Sequence, residues 1–309
     1  MQYIVGLDNY YNQKRTAVTL GKFDGLHRGH EKLIEKVIEC AEKENVESVV
    51  CSFDMSAFFK ELNVERKVIM TQEEKKLRLD GRVDYLVKCP FTSDFSRISA
   101  EDFVEKILVG LFHASYVVVG TDFCFGYQKS GNVEVLRKLQ QKYGYKLIVL
   151  EKERYQGRVI SSTYVKEVLA EGKIRLVNEL LGYPYTIMGT VEHGKRLGRT
   201  LGFPTMNVAP DSNKMMPPKG VYMMRVCVAG KWYPSIGNIG TKPTVTDENR
   251  LLIESFLLQY NGDAYGKAVK IELLEFRRPE RKFKTVQEMK ACVDKDIAYG
   301  KEFFASFCE

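Results

Sequence analysis

Up to about Tyr183 the chain alternates between short, almost uninterrupted apolar runs and longer segments in which apolar residues return every third or fourth position. The runs are AVTLG, ESVVCSF, RVDYLVKCPF, ASYVVVG and YKLIVLEKE. Continuous apolarity is what a strand needs when helices cover both faces of a parallel sheet. HEKLIEKVIECAEKEN, EDFVEKILVGLF and VEVLRKLQQKYG carry i, i+3, i+4 spacing, which gathers apolar side chains on one side of a helix. Ser99 with Asp102 resembles a capping box opening the second of these helices. Strands and helices in alternation predict a doubly wound α/β domain.

After LLGYPY the pattern changes. GVYMMRVCVAGKWYPSIG, RLLIESFLLQY and KAVKIELLEFRR are strand-like and are separated by turn signals such as PPKG and NGD. Helical spacing returns only in TVQEMKACVDKDIAYGKEFFASF. These features predict a compact antiparallel barrel closed by a C-terminal helix. The change of pattern puts the boundary near Gly182–Ile187 and divides the chain into domains 1–183 and 184–309.

A length of 309 residues accommodates two such domains. No apolar run approaches the roughly 18–20 residues that cross a bilayer. The opening MQYIVGLDNYYNQKR lacks the basic start and apolar stretch of a signal peptide. The seven cysteines are scattered with no C-x-x-C pair, so neither a zinc site nor a disulfide framework is indicated, and a reducing cytoplasm fits best. The net charge of +7 is spread among acidic residues, as in EKLIEKVIECAEKEN. That is the pattern of a solvated mixed surface, and it also suits phosphorylated substrates. No nucleic-acid-binding motif accompanies the charge, and neither a nucleic-acid nor a membrane partner is expected. Homo-oligomer formation is left open.

Two segments carry chemistry. GKFDGLHRGH follows the strand AVTL and runs into a helix beginning near His30. Gly21, Gly25 and Gly29 allow a tight turn and close approach of a ligand. Free N–H groups at the helix start, backed by the helix dipole, favour phosphate. His27 and His30, one helical turn apart, can aim both imidazoles at one point and donate to phosphate oxygens. A metal reading of H-x-x-H lacks a third ligand at usual spacing, and Asp24 is open between ligand and turn residue. Further on, Ser161, Ser162 and Thr163 open a helix, where hydroxyls cap the helix and also bind phosphate.

The second segment, GTVEHGKRLGRTLGFPTMN, places Gly194, Gly198 and Gly202 in a basic stretch able to wrap a phosphate chain. It is not a Walker A loop. Thr205 and Asn207, two apart on an extended segment, point the same way and can share Mg²⁺ or a phosphate. Read alone, an ordinary surface loop would look much the same.

The H-x-G-H element resembles the nucleotidyltransferase superfamily signature. Its longer form, G-x-F-D-G-x-H-x-G-H, is similar to the bacterial bifunctional riboflavin kinase/FAD synthetase family. VVVGTDFCFGYQKSGN resembles that family's G-x-D/N-F-x-F-G stretch, and VISSTYVKEVL its S-S-T-x-I-R helix start. GTVEHGKRLGRTLGFPTMN resembles the riboflavin kinase pattern, its P-T-A-N core appearing as PTMN. GVY, NIGTKPT, LIESFLL, DAYG and RPERKF follow in order.

The resemblance implies a Rossmann-like nucleotidyltransferase domain followed by a riboflavin kinase barrel. The implied reactions convert riboflavin and ATP to FMN, then FMN and ATP to FAD and pyrophosphate. Gly21, Phe23, Asp24, Gly25, His27 and His30 would bind ATP phosphates, with Asp122 beside the nucleotide and Phe123 beside the flavin. Ser161, Ser162, Thr163 and Lys166 would contact phosphate. Gly194, Gly198, Gly202, Thr205 and Asn207 would hold Mg²⁺–ATP, Glu254 would be the general base, and Arg278 would contact flavin.

Three positions depart from the pattern. Lys166 stands where Arg is usual, CSFDMSAFF where Pro-His-Pro is common, and Phe256 where His is usual. The CSFDMSAFF departure keeps two alternatives in view: a kinase whose adenylyltransferase half is weak or inactive, and a non-catalytic flavin-binding regulator.

Overall fold

The computed structural model describes residues 1–193, 203–243 and 249–306. They form two compact units: residues 1–68 with 75–162, and residues 69–74 with 163–309.

The first unit is built on a parallel sheet of β1 (Gln2–Val5), β2 (Thr16–Gly21), β3 (Glu47–Asp54), β4 (Tyr85–Pro90), β5 (Ala114–Gly120) and β8 (Lys146–Leu150), in the order β1-β4-β3-β2-β5-β8. Two short hairpins, β6 (Cys124–Phe125) with β7 (Gly131–Asn132) and β9 (Arg154–Tyr155) with β10 (Arg158–Val159), lie in its connections. Five of the six β2 residues are buried. Val18 and Leu20 face a core containing Val49, Val87, Val117 and Leu136, and Ala17 faces a second core with Val37, Cys40 and Val118. A strand buried on both faces cannot alternate polar and apolar, which is why the sequence shows a run.

Helix α1 (Arg28–Glu44) follows β2 and buries Ile34, Val37, Cys40 and Ala41. Asn45 ends it in the left-handed conformation. The helices α2 (Ser56–Glu61), α3 (Gln72–Leu79), α4 (Ser93–Ser96), α5 (Ala100–Asp102) and α6 (Val133–Tyr143) complete the connections, and α3 begins in residues counted with the second unit. Ser99 accepts from the Asp102 amide at 3.0 Å, as the capping pair predicts. Beyond that cap only one turn is α-helical, and Phe103–Leu111 winds as a π-helix.

In the second unit, helices α7 (Ser162–Ala170) and α8 (Ile174–Leu181) precede a closed barrel. Its strands are β11 (Tyr185–Glu192), β12 (Met206–Val208), β13 (Gly220–Val228), β14 (Lys231–Pro243), β15 (Asn249–Leu257) and β16 (Ala268–Pro279). All pairings in the ring β11-β12-β15-β14-β13-β16 are antiparallel. Helix α9 (Val286–Ala305) packs Phe304 against Val221, Met223, Ile236 and Leu274 on the outer face. A Cβ at Gly300 would stand 2.5 Å from Ile236, so only glycine lets the helix approach this closely.

One buried ion pair organises the second unit. Thr71 and Glu74 cap α3 reciprocally, Glu74 N to Thr71 Oγ1 at 3.2 Å and Thr71 N to Glu74 Oε2 at 2.9 Å. The same carboxylate accepts from Lys214 Nζ at 2.5 Å and from the Met188 amide at 3.3 Å. Both charged side chains are at most 3 % exposed, and the ammonium lies 4.5 Å over the Tyr185 ring. Removing one partner of such a pair leaves an uncompensated buried charge, at a cost of about 3–5 kcal/mol. Lys214→Met is therefore expected to destabilise the second unit by roughly that amount in urea unfolding. Adding Glu74→Gln should recover part of the loss. A Lys214→Met variant as stable as wild type would show that the pair contributes nothing net.

Candidate active sites

In the sheet order, the chain runs outward from β2 through β3 to β4 and then returns to β5 on the other side of β2. Ligands in such sheets bind beyond the carboxyl ends of the strands, where the order reverses. The two segments that follow β2 and β5 are GKFDGLHRGH and TDFCFG, so the topology brings both motifs to one sheet edge.

The turn after β2 is unusual backbone. Phe23, Gly25 and Leu26 have φ of +46°, +92° and +39°. The Phe23 ring is buried, packs over Gly21, and meets His30 edge-on with centroids 5.2 Å apart. Phe23 thus sets the shape of the turn. Ser162 Oγ donates to the Asp24 carbonyl at 2.8 Å, fixing the turn from a second point.

His27 is the N-cap of α1, and its ring stacks on His30 with centroids 3.7 Å apart and planes 17° from parallel. A Cβ at Gly29 would sit 3.3 Å from the His27 ring, so the glycine between them gives the stack its room. His27 is buried, whereas His30 keeps part of its surface exposed with Nδ1 buried. Nδ1 of each ring is buried with no hydrogen-bond partner, in a protein where such atoms are rare.

Burial pushes the His27 imidazole down to about 4, against the pull of Asp24. Burial also pushes His30 well below its ordinary value, helped by His27 and then by Lys75. Both rings are therefore neutral near pH 7, each able to donate one N–H to an anion at the α1 N-terminus.

Gly120 ends β5. Asp122 beyond it is exposed and pairs with Lys152 at 2.7 Å. Phe123 is half-buried and stacks on Phe125 at 5.6 Å. From there a run of ring contacts passes through Phe103, Phe95, Phe53 and Phe91 to Phe58, at centroid separations of 5.0–6.4 Å. Phe53 and Phe58 belong to CSFDMSAFF, so the segment lacking Pro-His-Pro supplies aromatic surface instead. Ser161 belongs to the first unit with Ser162, while Thr163 and Lys166 lie in α7 in the second.

On the barrel, strand pairing sets Glu254 directly opposite Asn207 on one side and Asn238 on the other. Directly paired residues project from the same face, so these side chains stand together. The alternate positions Val208, Ile253 and Ser255 are buried inside, and the Glu254 face is the outer one, which α9 partly covers at Ile236. Asn207 is buried with Oδ1 unpartnered. Thr205, two residues earlier, is half-buried. On the same outer face, Arg278 forks onto Asp296 of α9, with Nη2 to Oδ2 at 2.6 Å and Nε at 3.0 Å from the same oxygen. Its guanidinium therefore anchors the closing helix at the margin of this face. Gly194, Gly198 and Gly202 lie outside the described residues.

A family model described as FAD synthetase matches residues 10–164, and one described as riboflavin kinase matches residues 181–304. The bifunctional riboflavin kinase/FMN adenylyltransferase of Escherichia coli (strain K12) is 35% identical over 309 residues, 98% of each chain. This chain belongs to that bifunctional family. The protein of the same name from Listeria monocytogenes serovar 1/2a is 33% identical, over 94% of this chain and 92% of its own length. A crystal structure described as a macrolide-efflux protein from Streptococcus pneumoniae superposes with a TM-score of 0.86 and 26% identity, covering 97% of this chain and 98% of that one. No helix among the described residues is long and apolar enough to cross a membrane.

Two features beside these motifs escaped the sequence reading. The aromatic run joins rings from several separate segments, so no local spacing announces it. Lys75, buried beside the β2 turn, stands in the charged string QEEKK and has the look of a solvated helix residue.

The histidine pair makes a pH prediction. His27 has a folded pKa of about 4, below the unfolded value of 6.5, so the unfolded chain binds more protons between these pH values. Its contribution is complete above about pH 6.5 and is lost as pH falls toward 4, to an extent on the order of 3 kcal/mol. Urea unfolding of wild type between pH 7 and 4.5 should show a loss that His27→Gln reduces. Equal losses in both proteins would rule out burial of a neutral imidazole as the cause.

Proposed function

We propose that the chain phosphorylates riboflavin to FMN on the barrel and adenylates FMN to FAD at the β2 turn, with domains 1–183 and 184–309 carrying adenylyl transfer and phosphorylation. The observation that carries this reading is that each family-matched half contains one constellation suited to its half-reaction. The FAD synthetase match holds two neutral imidazoles, each with a buried unpartnered Nδ1, at a helix N-terminus, and the riboflavin kinase match holds a carboxylate across from an amide whose buried Oδ1 is unpartnered.

In the first reaction Glu254 accepts the proton of the riboflavin 5′-hydroxyl as its oxygen attacks the γ-phosphorus of ATP, and ADP leaves. A carboxylate placed to orient the attacking hydroxyl is what phosphoryl transfer asks of a protein. Thr205 and Asn207 hold the nucleotide's metal. Mg²⁺ takes oxygen ligands and keeps most of its shell as water and phosphate, so one or two protein oxygens suffice. The unpartnered Asn207 Oδ1 fits that need, and the described residues hold no cluster of three or more His, Cys, Asp or Glu suited to a resident metal. When bound, Mg²⁺ would neutralise phosphate charge.

In the second reaction a phosphate oxygen of FMN attacks the α-phosphorus of ATP and pyrophosphate departs with the bonding pair. His27 and His30 donate to oxygens on which charge builds. Gly21, Asp24 and Gly25 shape the turn, Asp122 borders the nucleotide, and Ser161 and Ser162 contribute phosphate contacts. Phe123, at the end of the aromatic run, offers a stacking surface for isoalloxazine. That run is the observation favouring an active adenylyltransferase half despite the missing Pro-His-Pro. Arg278 borders the flavin of the kinase site while braced by Asp296. The six described cysteines are free thiols, in keeping with a cytoplasmic location.

Chromatography of purified protein with Mg²⁺–ATP and either riboflavin or FMN tests the reading. Riboflavin should yield FMN and then FAD, and FMN should yield FAD. FMN accumulating without FAD would leave only the kinase. Glu254→Gln should lower FMN formation on the order of 10²–10⁴-fold and spare FAD formation from supplied FMN. His30→Ala should do the reverse, by about 10²-fold or more. Equal damage to both reactions in a folded variant would defeat the two-site assignment. Thr205→Ala should raise KM for Mg²⁺–ATP in the kinase reaction alone, and unchanged kinetics would remove Thr205 from the nucleotide site.

A further inference from the structure

We propose that Lys75 is a positioning residue of the adenylyl-transfer site, its buried ammonium pinning the Gly21–Gly25 turn through the Lys22 carbonyl and supplying the fixed positive charge against which the polyphosphate of ATP is held. This rests on the assignment of adenylyl transfer to that turn.

Lys75 is 2 % exposed. Its Nζ donates to Ser52 Oγ at 2.7 Å, at the end of β3, and to the Lys22 carbonyl at 3.2 Å, inside the turn. Ser52 Oγ itself lies 3.3 Å from the same carbonyl, so the three groups close a small triangle under the motif. Two of the three ammonium N–H groups are thus used on neutral acceptors. Among the described residues no carboxylate lies within 4.0 Å of it. A buried charge normally has an ionic partner, and here hydroxyl and carbonyl dipoles stand in for one.

The charged and titratable groups that influence this amine are Asp24, Asp54, Lys88 and His30. Asp54 is already paired with Lys88 at 2.8 Å. His27, stacked on His30, completes the set. The missing partner is an anion, and three independent features accept one at this turn: the ammonium, the unpartnered imidazole atoms, and the start of the 17-residue α1.

The chemistry assigns the lysine a task the histidines cannot perform. In adenylyl transfer a bond forms between FMN oxygen and the α-phosphorus while the bond to the bridging oxygen breaks, and pyrophosphate carries away the electron pair. Charge accumulates on the leaving oxygens. The imidazoles are neutral near pH 7 and supply hydrogen bonds without net charge. Lys75 supplies the charge, in an interior where water does not screen it. Burial lowers the amine to about 8, so it is mostly charged at pH 7 and loses the charge just above.

The test measures kcat and kcat/KM for FAD formation from FMN and Mg²⁺–ATP between pH 6 and 10, with FMN formation from riboflavin measured on the same preparations. Wild type should show an alkaline fall in kcat/KM. Lys75→Met should lower kcat by about 100-fold, as loss of a preorganised charged donor does, and should lack the alkaline fall, while an unchanged urea-unfolding profile reports an intact fold and the kinase reaction serves as an internal control. Ser52→Ala removes one acceptor from the ammonium and should move the alkaline fall to lower pH, which settles the matter if Lys75→Met does not fold. A Lys75→Met protein with wild-type kcat, or a Ser52→Ala profile that does not move, overturns the proposal. Wild type that makes FMN but no FAD overturns the adenylyl-transfer assignment, and this inference with it.

Discussion

Two imidazole rings stacked at 3.7 Å can coexist only while they are not both charged, and the turn after β2 is built around that restriction. Burial removes the proton from His27 and His30, and Gly29 leaves space for the stack. Phe23 closes on His30 from the side, in a backbone conformation that non-glycine residues adopt rarely. Strained φ values persist when the surroundings over-determine them, and here Ser162, Lys75 and Ser52 bond to the turn or to each other beneath it. The central strand explains why this can be rigid: β2 is buried on both faces and hydrogen-bonded to neighbours on each side.

The two units answer the same electrostatic problem differently. In the proposed reading both handle ATP phosphates, the first unit with neutral imidazole donors and a buried ammonium, all within the field of Asp24. The second places Glu254 across from Asn207 on the outside of a barrel. The difference follows from the nucleophile. A phosphate oxygen of FMN is already anionic and needs no base, so a carboxylate beside it would only repel it. A ribityl hydroxyl must lose a proton as it attacks, and a carboxylate serves it. Glu254 and Asn207 stand on the outer barrel face, because the interior is filled by Ile253, Ser255, Val208 and their neighbours.

Much of this was legible in the sequence because it depends on local spacing. Strand runs, Gly-turn, paired histidines and helix stand within some thirty residues of one another, and the alternation of apolar and mixed segments exposed the two architectures. Thr205 and Asn207 are two apart on an extended chain, so their common direction could be read directly, whereas their facing Glu254 depends on the pairing of β12 with β15, visible in sequence only through the ordered family motifs. Three features were hidden for physical reasons. Edge strand β1 has only four residues and no clear alternation. The π-helical winding of Phe103–Leu111 differs from α-helix by less than one residue per turn, too little to register over nine residues. Glu74, Lys75 and Lys214 are buried charges whose partners lie up to about 145 residues away, so each had the look of surface.

Glu74 and Lys75 are adjacent in sequence, and their opposite fates follow from helix geometry. Successive residues on a helix point about 100° apart, so at the start of α3 one side chain turns to Lys214 and the other to Ser52 and Lys22. Glu74 is compensated by an ammonium and an amide. Lys75 makes direct bonds only to dipoles, with Asp24 and Asp54 acting on it from beyond ion-pair distance. Evolution of a stable core would favour pairing both, or replacing both with apolar residues, because a buried unpaired charge is among the costlier features a fold can carry. In the proposed reading, the charge retained beneath the Gly21–Gly25 turn finds its remaining compensation outside the chain, with the anionic substrate, and loses it with the product.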